Sequence, residues 1–115
     1  MSMSAQQMQQ TMQAYTDALL HHGDFAQYFS DDVVCSAEGT DQRYQGREVV
    51  RQWLEGSHSL GEIKFRDLFS CEGHAAAEAE FIRNDGRVVP YSVVYDLADG
   101  KITALRLYFT GPVQD

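Results

Sequence analysis

The sequence predicts an α+β domain whose helices pack together on one face of a strongly curved sheet. Apolar residues recur at helical spacing in the first half of the chain, and β segments fill the second half. Helices segregated ahead of a strand meander cover one face of a mainly antiparallel sheet. The 115 residues suffice for a single domain, 1–115, with one core.

Each element has its own signal. Ser4 and Gln7 form a capping-box pattern, and Met8, Met12, Tyr15 and Leu19 follow at helical spacing. This predicts a helix from Ser4 to His22, closed by Gly23 as the residue just past its end. Asp24 stands where it can cap a short second helix, "DFAQYF". "DDVVCSAEG" reads as a strand entering a polar loop, "GTDQRYQ". After Gly46, "REVVRQWLEGSH" carries Val49, Val50, Trp53 and Leu54 on one helical face. Gly61 and Gly73 punctuate two strands, "EIKFRDLFSCE" and "HAAAEAEFIRN". A long hairpin, "VVPYSVVYDLADGKITALRLYF", follows, and the glycines of "NDG" and "ADG" supply the positive φ of tight hairpin turns. Pro90 within a long strand suggests a bulge-like interruption and hence curvature. Curvature around helices leaves a cavity, which is where function is expected.

The formal net charge is -8, from 17 acidic and 9 basic residues. That balance argues against nucleic acid or an anionic membrane as partner, because both require clustered Lys and Arg. No apolar run approaches the ~20 residues of a membrane span. "MSMSAQQMQQ" has neither the basic end nor the apolar core of a signal peptide, so a cytoplasmic protein is expected. Cys35 and Cys71 lack CxxC spacing and are expected to be free, buried thiols. No histidine pair has HxxxH or HxH spacing, so neither a metal nor a cofactor is expected.

Strand alternation sorts the faces. Tyr91, Val93, Tyr95, Leu105, Leu107 and Phe109 fall on the inner face, with Asp96, Arg106 and Tyr108 on the outer one. Ala75, Ala77, Ala79 and Phe81 are assigned inward, since small side chains leave room there, which sends Glu78 and Glu80 outward. On the first strand Val33, Cys35 and Ala37 face in, and Ser36 and Glu38 face out.

The blocks "GDFAQYFSDDVV", "YQGREVVRQWL" and "YDLADGKITALRLYF" resemble the nuclear transport factor 2-like superfamily, which includes ketosteroid isomerases, limonene epoxide hydrolases and polyketide cyclases. The likeness covers nearly the whole chain and is greatest to the SnoaL-like branch. It implies a cone-shaped curved sheet, antiparallel or mixed, with a pocket inside the cone and a homodimer through the outer sheet face. It also implies where catalytic groups would stand. The isomerase base falls at Ala37, its tyrosine donor at Thr16 and its protonated aspartate at Val93, which is also the cyclase acid/base position. The epoxide hydrolase Arg-x-Asp is missing, and its last-strand aspartate falls at Leu107. None of the superfamily's familiar carboxylates is present at these positions.

Three readings follow. The first is a pocket protein that binds a small, mostly apolar molecule through Tyr15, Cys35, Trp53, Tyr91, Tyr95, Leu107 and Phe109. The second is an isomerase, cyclase or hydrolase that replaces the missing aspartates with His58 and a tyrosine. His58 lies near the end of its helix, facing the expected cavity mouth, and titrates near neutral pH. The third is a dimeric association module whose cone is filled by its own side chains.

Overall fold

The computed structural model describes residues 4–71 and 73–109. Helix α1, Ala5–Leu20, is followed by a 3₁₀ turn at Phe25–Tyr28 and strand β1, Phe29–Ala37. A short strand β2, Arg43–Gln45, leads into helix α2, Arg47–His58. Four long strands follow: β3 Gly61–Cys71, β4 His74–Arg83, β5 Val88–Ala98 and β6 Lys101–Phe109. They form one six-stranded sheet in the order β2-β1-β6-β5-β4-β3. All neighbours are antiparallel except β1 and β6, which run parallel.

The expected α+β class, with helices against a mixed curved sheet, is what the fold has. α1 starts where the capping box places it: Ser4 Oγ accepts from the Gln7 amide, and the Gln7 side chain accepts from the Ser4 amide. Its buried stripe is Met8, Met12, Tyr15, Thr16 and Leu19. Its end differs from expectation. The left-handed residue is His22, at φ 58°, and the Gly23 amide closes the turn on the Ala18 carbonyl at 2.7 Å. Asp24 makes no side-chain cap to the 3₁₀ turn.

Two further expectations are corrected. Arg43–Gln45, taken as part of a polar loop, is the edge strand β2, with Cys35 opposite Tyr44. Three residues with a single half-buried side chain are too short to show an alternating pattern. Pro90 is not a bulge: it sits in register opposite Glu80. The register shifts instead fall at Phe65/Asp67, at Asp96/Leu97 and between Phe29 and Val34. The "ADG" turn does hold Asp99 and Gly100 at positive φ, 52° and 79°.

The core is the concave face of the sheet against α1, the 3₁₀ turn and α2. Ala75, Ala77 and Ala79 of β4 and Val93, Tyr95, Leu105 and Leu107 of the last hairpin are all buried there, as alternation requires. Tyr15 stands at the centre, its ring 5.5 Å from Phe29 and 5.9 Å from Tyr95. Arg47 fastens the start of α2 to β1, donating to the Phe29 carbonyl at 2.9 and 3.2 Å and pairing with Asp31 at 2.7 Å.

The C-terminal ends of the two helices meet through aromatic contacts. The half-buried His58 ring packs edge-on against His22 at 4.4 Å and against Phe25 at 6.1 Å. Desolvation first, and the neighbouring His22 second, hold His58 below its ordinary pKa, with Glu55 opposing. A histidine whose folded pKa is depressed favours the fold while neutral. Its contribution is present above the unfolded pKa of about 6.5 and is lost as pH falls through the lower folded value. We therefore expect wild-type protein to lose stability on acidification from about pH 6.5 more steeply than H58Q, read from denaturant midpoints across pH. Coincident curves for the two proteins would remove His58 from the acid response.

The start of β3 imposes a close approach. A Cβ on Gly61 would lie 2.3 Å from the Ile82 carbonyl oxygen and 2.9 Å from the Arg83 Cα, both backbone atoms of β4. We expect G61A to cost about 2 kcal/mol or more in chemical denaturation, since neither contact can yield by side-chain rotation. G56A is the control, because nothing lies within 4 Å of a Cβ there.

Candidate functional site

A cavity of about 180 Å³ opens between the C-terminal half of α2 and the concave face of the sheet. Trp53, Leu54 and Ser57 of α2 form one wall, with Leu60 just beyond the helix. The sheet contributes Ile63, Phe81, Tyr91, Leu107 and Phe109, one or two residues from each of β3 to β6. Alternation accounts for this convergence. Tyr91 is paired across the ladders with Ala79 on one side and Phe109 on the other, so all three share the inner face. Beyond Ala79, where the alanine run of β4 gives way to Phe81, the rings of Tyr91 and Phe109 lie 5.7 Å apart.

The polar groups of this lining are few. Ser57 Oγ donates to the Leu54 carbonyl at 2.6 Å, so its proton is spent within the helix. Trp53 stacks on Tyr44 of β2 with ring centroids 5.2 Å apart and planes 27° apart. Tyr91 is buried, and that burial raises its phenol well above the ordinary tyrosine value, so it stays a neutral donor at physiological pH. Among the described residues, the lining contains no carboxylate, histidine, lysine or arginine.

The residues singled out in the sequence therefore divide into groups. Trp53, Tyr91, Leu107 and Phe109 are brought together around the cavity. Tyr15, Cys35 and Tyr95 lie deeper, in the packed core, with exposures of 1, 1 and 2 per cent. Burial drives the Cys35 thiol up to about 12 and both phenols far above their usual range. His58 stands apart from the tyrosines. It lines a second, polar pocket with Leu20, His22, Gly61, Glu62 and Asn84, which shares only Ile63 with the first. Glu38 is exposed and accepts from Ser36 at 2.8 Å, on the outer face as expected.

Positions where the resemblance would put catalytic groups are structurally occupied. Ala37 and Val93 are core residues, Leu107 lines the cavity, and Thr16 Oγ1 donates to the Gln13 carbonyl of its own helix at 3.1 Å. Ser57, Leu60 and Ile63 are the cavity residues that the sequence did not single out, whereas alternation had assigned Phe81 to the inner face. One thiol corrects expectation: Cys35 is free and buried, but Cys71 is free and exposed. Among the described residues no cluster of three metal-ligating side chains occurs, and no helix is long and apolar enough to cross a membrane.

Comparison with known proteins follows the same lines. The sequence profile described as the SnoaL-like domain matches residues 11–105. Comparison with curated proteins finds no match. Among solved structures, an NTF2-like protein of unknown function from Mesorhizobium loti is 17% identical, with TM-score 0.84 over 95% of each chain. A Kribbella flavida protein provisionally assigned as a ketosteroid isomerase is 17% identical, with TM-score 0.85 over 97% of this chain and 84% of that one. A provisional polyketide cyclase from Xanthomonas campestris pv. campestris is 19% identical, with TM-score 0.78 over 94% and 93%. At these identities the structural likeness speaks for the fold alone. The profile match covers most of the chain, and with the element order and curved sheet it identifies the protein as a member of the SnoaL-like domain family, of NTF2-like fold.

Proposed function

We propose that this chain is a binding protein for a small, mostly apolar molecule of about one ring that bears a hydrogen-bond acceptor. The observation that carries this reading is a cavity walled almost wholly by aliphatic and aromatic side chains, with Tyr91 the one residue of its sheet wall whose side chain carries a hydrogen-bonding group. Its volume, about 180 Å³, sets the size of the guest. An apolar cavity of ~150 Å³ suffices to hold benzene, whereas pockets for drug-sized ligands run from ~300 Å³ upward. A polycyclic ligand exceeds that volume and would protrude from the opening.

The acid–base alternative has less support. General catalysis needs a titrating group within hydrogen-bond reach of the reacting atoms. His58 packs on His22 and Phe25 and borders a different pocket from Tyr91. Neutral phenols held above their ordinary pKa donate hydrogen bonds well but make poor proton acceptors.

A homodimer through the outer sheet face belongs to the same reading. Phe69 and Tyr108 leave 55% and 43% of their surface exposed on that face, and a second copy would cover them. Sedimentation should then report twice the 13.0 kDa chain mass at micromolar concentration, and a monomer there would refute the dimer.

Trp53 is the chain's single tryptophan and lines the cavity, so its fluorescence reports on this site alone. Titration with cyclohexanone and with methylcyclohexane is expected to change the emission in both cases. Y91F should weaken cyclohexanone about fivefold to tenfold, the worth of one hydrogen bond, and leave methylcyclohexane unaffected. Emission that responds to neither compound up to millimolar concentration would overturn the binding reading.

A further inference from the structure

His58 is the last residue of α2, and its neighbours in the chain serve a different pocket from its own. Trp53, Leu54 and Ser57 before it, and Leu60 after it, wall the apolar cavity. The His58 ring borders the polar pocket, about 320 Å³ in volume, where His22, Glu62 and Asn84 are exposed to solvent. Aromatic contacts hold the ring in place, edge-on to His22 at 4.4 Å and to Phe25 at 6.1 Å. The left-handed residue that ends α1, His22 at φ 58°, brings the second imidazole to this contact. Just past His58 the chain is tied to the β4–β5 turn. Asn84 donates its side-chain amide to the Ser59 carbonyl at 2.8 Å and its backbone amide to the Leu60 carbonyl at 3.0 Å.

A proton on His58 alters the first of these two anchors and leaves the second alone. Neutral rings meeting edge to face form a favourable pair. An imidazolium in the same half-buried position carries a charge away from water and turns it toward a second titratable ring. The titratable groups around it are His22 from the end of α1, Glu55 from the preceding turn of α2, and Glu62, which borders the pocket from β3. The 3₁₀ turn offers the uncharged ring of Phe25. The ion pair of α2 with β1, Arg47 with Asp31, lies at the start of the helix, about three turns away. Glu55 and the negative end of the helix favour the proton, but Glu55 is already paired with Arg51 at 2.7 Å. Burial, with His22 second, prevails and keeps the ring neutral at pH 7.

We propose that the His22–His58 contact is a proton-operated latch on the wall of the binding cavity. With both rings neutral, the latch fixes the last turn of α2, and Trp53, Leu54, Ser57 and Leu60 close around the guest. When His58 gains a proton, its ring leaves His22 and Phe25 for the adjoining polar pocket. The last turn then loosens between Trp53 and the anchor that Asn84 keeps on Ser59. This regulation rests on the binding reading above and gives it a direction: the site holds its guest at neutral pH and releases it in acid. Linkage is reciprocal, so a bound guest must also lower the pH at which His58 takes up its proton.

Two measurements on the full chain test the latch, and one of them needs no guest. The protonation midpoint of His58 is first located by imidazole NMR. Amide hydrogen exchange of the free protein should then show protection of residues 54–60 falling as pH drops through that midpoint, while β4 to β6 stay protected. Affinity for cyclohexanone, read from Trp53 emission, should be about tenfold weaker one pH unit below the midpoint than at neutral pH. H58Q should flatten both pH dependences. H22N, whose asparagine suits the left-handed turn, should raise the His58 midpoint and carry both curves to higher pH with it. If cyclohexanone binds at no pH, the binding reading fails, and the exchange data decide the latch by themselves. Exchange and affinity that stay constant through the His58 midpoint would overturn the latch, as would H58Q curves that superimpose on those of the wild type.

Discussion

The structure depends on how closely a helix can approach the concave face of a curved sheet. Along β4 that face is Ala75, Ala77 and Ala79, each a single methyl, and α1 lies against β3 and β4 there. Small residues let Met8, Met12, Tyr15 and Leu19 sink to near-zero exposure without overpacking. The end of the alanine run is equally consequential. At Phe81 the sheet turns bulky, and the space between its aromatic side chains and α2 stays open as the cavity. One choice of side-chain volume along a single strand thus settles where the interior is solid and where it is hollow.

The same division governs the chemistry. Three tyrosines line the inner face or the helix against it, yet they differ in depth. Tyr15 and Tyr95 are ring contacts of the packed core, and Tyr91 borders the cavity. Burial without a cationic neighbour raises all three phenols, so each remains an uncharged hydroxyl. Charge is instead concentrated on the outer face and the helix surface, where Arg106 meets Asp96 and Arg51 meets Glu48 and Glu55. An apolar hollow with neutral donors suits recognition of an uncharged guest.

Much of this was legible in the residues. The capping box, the amphipathic stripe of α1, the "ADG" turn and the period-two faces of the long strands are local signals, and the structure keeps them. β2 was missed because three residues cannot display a period. The parallel pairing of β1 with β6 joins strands far apart in the chain, and no local pattern encodes it. Depth was the other gap. Alternation places Tyr91 and Tyr95 on one face, but only the positions of α1 and α2 decide which is sealed and which meets a cavity. Cys71 was misjudged by composition: cysteine is usually buried, but the register of its hairpin points this one outward.

The stack of Trp53 on Tyr44 couples the hollow to the sheet's least secured strand. β2 holds its place through three register pairs, on one side only, with β1. Short edge elements open locally at far less free energy than is needed to unfold a core. Each such opening withdraws Tyr44 from the indole and leaves the cavity wall without its backing. The interior can therefore breathe at its rim while α1 and the four long strands stay intact, which widens an opening that the cavity already has.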